Sequence, residues 1–223
     1  TPQVSPPEVA YRETVRRSTE TVTTYKKQTG GHGHFAEVEI RVEPLKRGEG
    51  VVFENEASAA DIPRDFVRPV ELGVRGALEK GIIAGYPVTD VKVTLLDGKI
   101  HEVDSAAMDF EIAASIATQR AVRQASPALL EPVMEIDINV EEDNVGSVVA
   151  DIGRRRGSVN AMRVRGEMRN VDGVVPLAEA RGYATDLRSL TKGRGTFTLE
   201  FDHYDIVPDD IAEEIIERRK EEG

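Results

Sequence analysis

The second half of the chain sets the tightest limit on its fold. Between Val133 and Phe201 the apolar pattern switches repeatedly between the two-residue repeat of a strand and the longer repeat of a helix. Met134, Ile136, Ile138 and Val140 alternate as a strand. Glu141-Glu142-Asp143 then puts negative charge at the start of a helix, where the macrodipole favours it. Gly157 opens a strand expected to reach Arg169, followed by a turn over residues 170–173 and a short strand over 174–177. Residues 178–190 read as a helix interrupted at Gly182, and residues 196–201 alternate as the last strand. Strand, helix, strand, strand, helix, strand is the split βαβ order of a ferredoxin-like fold. A terminal helix over residues 209–222 carries Ile211, Ile215 and Ile216.

Upstream, residues 13–27 are rich in Thr and Val and predict one long strand with an exposed face. Gly30, Gly31 and Gly33 surround His32, and His34 follows. Residues 35–43 alternate as a half-buried strand, 51–56 form another, and 88–96 alternate again. Pro63 suits the first turn of a helix marked by apolar Phe66, Val67, Val70, Leu72, Val74 and Leu78, with Gly81 closing it. Met108, Ile112, Ile116 and Ala113, Ala117, Ala121 lay an apolar stripe on a second helix ending near Ser126. Pro127 and Pro132 read as a stop and a restart, and so as a domain boundary. The expectation is an α+β chain of two domains.

Charge narrows the functional classes. Among 223 residues, 40 acidic side chains face 29 basic ones, a net −11 that argues against coating nucleic acid non-specifically. The absence of cysteine excludes a disulfide framework, zinc ribbons and thiol catalysis. No apolar run approaches the ~20 residues of a membrane span and no signal-like segment opens the chain, so a cytoplasmic location without membrane contact is expected. No Gly-x-x-x-x-Gly-Lys-Ser/Thr loop is present. The glycine cluster at 30–33 is either a flexible hairpin connection or a tip that touches a ligand through His32 and His34. His101 and His203 are the remaining histidines, too few for a convergent metal set. Ser105 near His101 lacks an oxyanion motif, and Glu102 with Asp104 means little as a catalytic pair in so acidic a chain. No catalytic residue, metal site or cofactor site is expected on this chain.

Basic residues are instead concentrated locally. Arg154, Arg155, Arg156, Arg163, Arg165 and Arg169 are interrupted by a single acid, Glu167, and Arg188, Lys192 and Arg194 follow. Forked guanidinium groups suit phosphate, although the first three also suit a helix C-terminus. Six Phe, five Tyr and no Trp leave few stacking platforms, which favours folded RNA over stacked single strands. Residues 29–36 are free of carboxylate, so a tip built there is expected to be open to RNA.

Several motifs then resemble one family. Tyr11-Arg12-Glu13-Thr14, Gly85-Tyr86-Pro87-Val88, His101-Glu102-Val103-Asp104-Ser105, Leu129-Leu130-Glu131-Pro132-Val133-Met134 and Arg154-Arg155-Arg156-Gly157 are similar to elongation factor G. So are Val175-Pro176-Leu177-Ala178-Glu179 and Gly182-Tyr183-Ala184-Thr185-Asp186-Leu187-Arg188-Ser189, and all occur in order. The resemblance is to the fourth and fifth domains of that translational GTPase and implies a C-terminal fragment. It implies a flexible lead-in over 1–10, then an elongated mixed α/β arm of ribosomal-protein-like βαβ type over 11–128. A ferredoxin-like domain with the C-terminal helix would cover 129–223.

The function so implied is ribosome binding and translocation of transfer RNA and messenger RNA, the arm tip entering the decoding region. Gly30, Gly31, His32, Gly33 and His34 map onto one RNA-contacting tip loop, and His101, Asp104 and Ser105 onto the other. Arg154, Arg155, Arg156, Arg188 and Lys192 are expected contacts to ribosomal RNA. The implied protein is a monomer, and the GTP and Mg of the full-length factor belong to a domain absent here. Two departures stand out. The family's first loop commonly reads Gly-Gly-x-Gly-Gln-Tyr-Gly, where this chain has His34, Phe35 and Ala36; the second commonly has Ser-Ser-Glu after the Asp, where it has Ser105, Ala106 and Ala107. They leave open a divergent paralogue acting in ribosome recycling or protection.

Overall fold

The computed structural model describes residues 9–223; all but the last two residues of the expected lead-in lie outside the described residues. The chain begins with β1 (Arg12–Val15), β2 (Thr19–Thr29), β3 (His32–Pro44), β4 (Val51–Asn55), α1 (Arg64–Lys80), β5 (Val91–Lys99) and α2 (Ala107–Gln124). It continues with β6 (Pro127–Glu141), α3 (Val145–Arg154), β7 (Ser158–Arg165), β8 (Met168–Pro176), α4 (Tyr183–Leu190), β9 (Thr196–Ile206) and α5 (Asp209–Glu222). Two compact units result. One comprises Arg12–Leu130 and Ile206–Gly223, the other Glu131–Asp205 with the described residues before Arg12.

In the first unit β2 and β3 form a long hairpin in which Thr29 faces His32. Gly30 and Gly31 are therefore a two-residue turn, with φ of +54° and +88°. Positive φ at both positions matches the twist of the flanking strands, and glycine adopts it without penalty. Ala36, Val38, Ile40 and Val42 line one face of β3 and are fully buried with Val91, Val93 and Leu95 of β5 and the inner faces of α1 and α2. Glu37, Glu39 and Arg41 alternate onto the other face. α1 and α2 cross closely at Gly73, where a Cβ would lie 2.2 Å from the Glu111 carbonyl oxygen.

The long strand expected over 13–27 is two strands. β1 pairs with the start of β6 and β2 with β3, and Arg16 and Arg17 between them donate to the carbonyls of Ser126 and Gln124 behind α2. Glu13 on β1 is fully buried, and its carboxylate accepts the N–H groups of Ile82, Ile83, Ala84 and Tyr86 at 2.8, 2.8, 3.0 and 2.9 Å. The connection after α1 is thus wrapped around one side chain. α5 covers the same connection: Arg219 donates to the Ala84 carbonyl at 3.0 Å and lies 4.5 Å over the Tyr86 ring. This helix, which the sequence attached to the second domain, groups with the first unit. The domain boundary expected between Pro127 and Pro132 falls at Leu130/Glu131, but inside β6, which runs through both prolines. Pro127 opens the strand, where a missing N–H is tolerated.

In the second unit the sheet order β9-β6-β8-β7 interleaves the strands as the expected ferredoxin-like fold requires. Ile136, Ile138, Val140, Val171 and Val175 pack under Val148 and Ile152 of α3 and Tyr183 and Leu187 of α4. The β7–β8 turn falls at residues 166–167, where Gly166 has φ +62°, and not at 170–173. Asn170 belongs inside β8 because it is fully buried and its amide donates to Asn139 Oδ1 at 3.1 Å and to Asp137. α4 starts only at Tyr183, after Gly182 at φ +72°.

Away from its helices this sheet sets Asp137 directly opposite Asp172, with Glu135 beside them. The Asp172 charge pushes the Glu135 pKa above its ordinary 4.5. The folded state therefore holds this proton at pH values where the unfolded chain has lost it, and stability falls as pH rises through that window. Asp172→Asn is expected to raise the urea midpoint at pH 7, with the gain shrinking as pH falls through that window and gone below Glu135's ordinary value. Equal midpoints at neutral pH would contradict this.

Candidate nucleic-acid interface

The end of the β2–β3 hairpin meets the connection between β5 and α2, and hydrogen bonds join them. Ser105 Oγ donates to the Phe35 carbonyl at 2.7 Å and accepts the His101 N–H at 2.9 Å. The Phe35 N–H donates to the Asp104 carbonyl at 3.0 Å. The His101 and Phe35 rings stack with centroids 3.6 Å apart and planes 1° from parallel. Gly33 admits this approach, because a Cβ there would come within 2.6 Å of the Asp104 carboxylate.

His34 is tied inward. Its Nδ1 lies 2.9 Å from Oδ1 of Asp109, whose side chain is 2% exposed, and Asp109 Oδ2 accepts the Ala106 N–H at 2.9 Å at the start of α2. A carboxylate only accepts, so neutral His34 carries its proton on Nδ1 and leaves Nε2 as an acceptor. Of the tip residues expected from the sequence, Gly33, His34 and Ser105 build the apex. Gly30, Gly31, His32 and His101 are exposed, and Asp104 is half-buried. Val103 is 94% exposed and Glu102 is exposed beside it. The expectation of a carboxylate-free tip is corrected here: residues 29–36 contain none, but Asp104 and Asp109 are brought against them from the second loop and α2.

The arginine cluster divides. Arg155 pairs with Asp151 at 2.9 Å and with Asp186, donates to the Glu179 and Arg181 carbonyls, and lies 5.0 Å over the Tyr183 ring. Arg156 grips both oxygens of Glu131 at 2.8 and 3.0 Å and reaches Glu179 at 3.3 Å. Both forks are occupied inside the unit rather than offered outward, which corrects the expectation that they face RNA. Arg154, with one 3.4 Å contact to Asp151, is 68% exposed. Arg188 and Lys192 are exposed, as are Arg163 and Arg165 on the edge strand β7, whereas Arg169 and Arg194 pair with Glu142 and Glu141. The sequence passed over Lys26 and Lys27, whose position becomes informative only once the turn is fixed at Gly30-Gly31: Lys26 then faces Phe35 and Lys27 faces His34. Asp109 was equally silent, reading as one acid on a helix.

Among the described residues no group of three or more His, Asp or Glu is arranged to hold a metal ion, and no helix is long and apolar enough to cross a membrane.

Residues 7–126 match the family described as elongation factor G, domain IV, and residues 128–215 match the elongation factor G C-terminus. A crystal structure from Thermus thermophilus superposes with a TM-score of 0.85 at 40% identity, over 98% of this chain and 33% of that one. This chain thus spans about a third of the length of that protein. These findings define part of a translation elongation factor. The chain belongs to the elongation factor G family and carries its domain IV and its C-terminal domain.

Proposed function

We propose that this chain is the ribosome-contacting part of a cytoplasmic, monomeric factor that promotes translocation of transfer RNA and messenger RNA, its hairpin tip entering the decoding region. One observation supports this above the others: two loops some 70 residues apart lock into one apex through Ser105 and the Phe35–His101 stack. An apex ordered in advance loses little conformational entropy on contact. Gly30 and Gly31 bring backbone to the surface without a Cβ, so their peptide groups can approach ribose and phosphate closely. His32 adds a donor and a stacking face. Arg154, Arg188 and Lys192 supply a second, phosphate-directed contact to ribosomal RNA. The chain binds and positions; GTP hydrolysis belongs to another part of a full-length factor.

His32→Ala is the test. Binding of the chain to small ribosomal subunits is expected to weaken about fivefold, the value of one lost hydrogen bond of about 1 kcal/mol, with the circular dichroism spectrum unchanged. Unaltered affinity would remove the tip from the contact. Gly31→Pro is unsuitable because φ of +88° is closed to proline. The His34–Asp109 pair, at the loop position where the family commonly has Gln, favours a second reading in ribosome recycling or protection. Exchanging this segment into a translocating factor separates the two: normal messenger RNA movement supports translocation.

A further inference from the structure

We infer that the outer edge of β7 is a docking strand for an extended segment of a partner protein in which apolar and acidic residues alternate. β7 ends the sheet order and pairs with β8 alone. The turn between them is two residues long, Gly166-Glu167, with positive φ at the glycine, so Arg165 and Met168 form a hydrogen-bonded pair. Alternation then points the backbone of Arg163 toward β8, and the N–H and C=O groups of Met162 and Val164 away from it. Among the described residues these outward groups have no hydrogen-bond partner. The one irregularity in the pairing lies earlier, between Val159 and Ala161, and leaves residues 161–165 regular.

The side chains add a two-sided pattern. Directly opposite residues share a face, and Met162 lies opposite the buried Val171, so Met162 and Val164 stand on the helix-covered side of the sheet. They are nonetheless 61% and 70% exposed. Arg169, opposite Val164, is held by Glu142 at 3.1 Å, which leaves Met162 and Val164 as an apolar pair along the edge. Arg163 and Arg165 stand on the open side, exposed and without an ion pair among the described residues. The acids nearest them in register, Glu167 and Asp172, pair with neither.

The occupant follows from that alternation. A strand added to this edge bonds to the outward groups of Met162 and Val164, which supplies affinity without regard to sequence. Its side chains meet apolar surface on one face and two guanidinium groups on the other, so the segment that fits alternates apolar and acidic residues. RNA would use the arginines but neither the apolar pair nor the backbone edge. A second copy fits less well. β7 against β7 sets arginine beside arginine on the open side, and a net charge of −11 keeps copies apart.

The probe is a blocked peptide of alternating valine and glutamate, about six residues long as in an ordinary strand, titrated into the chain and followed by amide hydrogen exchange. It is expected to protect the Met162 and Val164 N–H groups and to leave those of Arg163 and Arg165, already bonded to β8, unchanged. Arg163→Glu combined with Arg165→Glu keeps the circular dichroism spectrum and weakens this peptide about tenfold, because two opposite-charge cross-strand pairs become like-charge ones. The same variant gains binding to a valine–lysine peptide. Val164→Pro removes an outward N–H while sparing the β8 ladder, and is expected to abolish binding. Undiminished affinity in the charge-reversed chain or in Val164→Pro overturns the inference, as does no binding by the unsubstituted chain. Protection by a single-stranded RNA oligonucleotide and not by the peptide assigns the edge to nucleic acid and overturns it. Concentration-dependent sedimentation of the chain alone, lost on charge reversal, assigns the edge to a second copy through Glu200 and Asp202 of β9 and overturns it as well.

Discussion

Glu13→Ala is expected to cost the first unit about 3–5 kcal/mol, because it removes the carboxylate that accepts four buried N–H donors. A buried unsatisfied donor costs about 1–3 kcal/mol, and partial relaxation or an entering water lowers the sum below four times that figure. Glu13→Gln is the informative companion. Its amide keeps one acceptor oxygen and turns an NH2 toward backbone donors, so it falls between alanine and the unsubstituted chain. Urea unfolding followed by circular dichroism reads both. A loss under about 0.5 kcal/mol for alanine, the range of an ordinary surface substitution, would mean that the connection holds its shape without the carboxylate.

The second unit has its counterpart in Arg156→Met. Glu131 is 3% exposed at its side chain, and both its oxygens are held by the Arg156 fork. Removing the guanidinium leaves an uncompensated buried charge, at about 3–5 kcal/mol. Lysine does not rescue it, since a single ammonium cannot reproduce a two-pronged grip. Adding Glu131→Leu to Arg156→Met is expected to recover most of the loss, because the pair's own desolvation cost disappears with it. A double variant no more stable than the single one would refute this account. A pair of substitutions separates structure from recognition: on the function proposed above, Arg154→Ala is expected to lower ribosome affinity at constant stability, whereas Arg156→Met acts through the fold.

The contrast between Arg154 and its two neighbours shows where linear reasoning runs out. Three adjacent arginines look alike in a sequence, and the carboxylates that occupy two of them, Glu131 and Asp186, lie 25 and 31 residues away. Periodicity located the helices and nearly all the strands, because burial on one face leaves a local signature. It misplaced the β7–β8 turn: residues 170–173 have turn-forming composition, yet the buried Asn170 finds its partners on β6. At the tip, the glycines and His101 were legible from their motifs. The inward turn of His34 was not, since it depends on Asp109 arriving from a helix 75 residues later. The place of α5 was hidden for the same reason, its anchors Ala84 and Tyr86 lying far upstream.

The wrapping of residues 82–86 around Glu13, with Arg219 laid over it, also sets a schedule for synthesis. The first unit needs chain from both sides of Glu131–Asp205 before it is whole. The intervening unit is contiguous and has its own core, so it can complete while the arm is still waiting. A nascent arm thus stays unfinished until residues 206–223 leave the exit tunnel. Its hairpin, closed by a two-glycine turn and local in sequence, forms early, whereas the packing of α5 on residues 82–86 comes last.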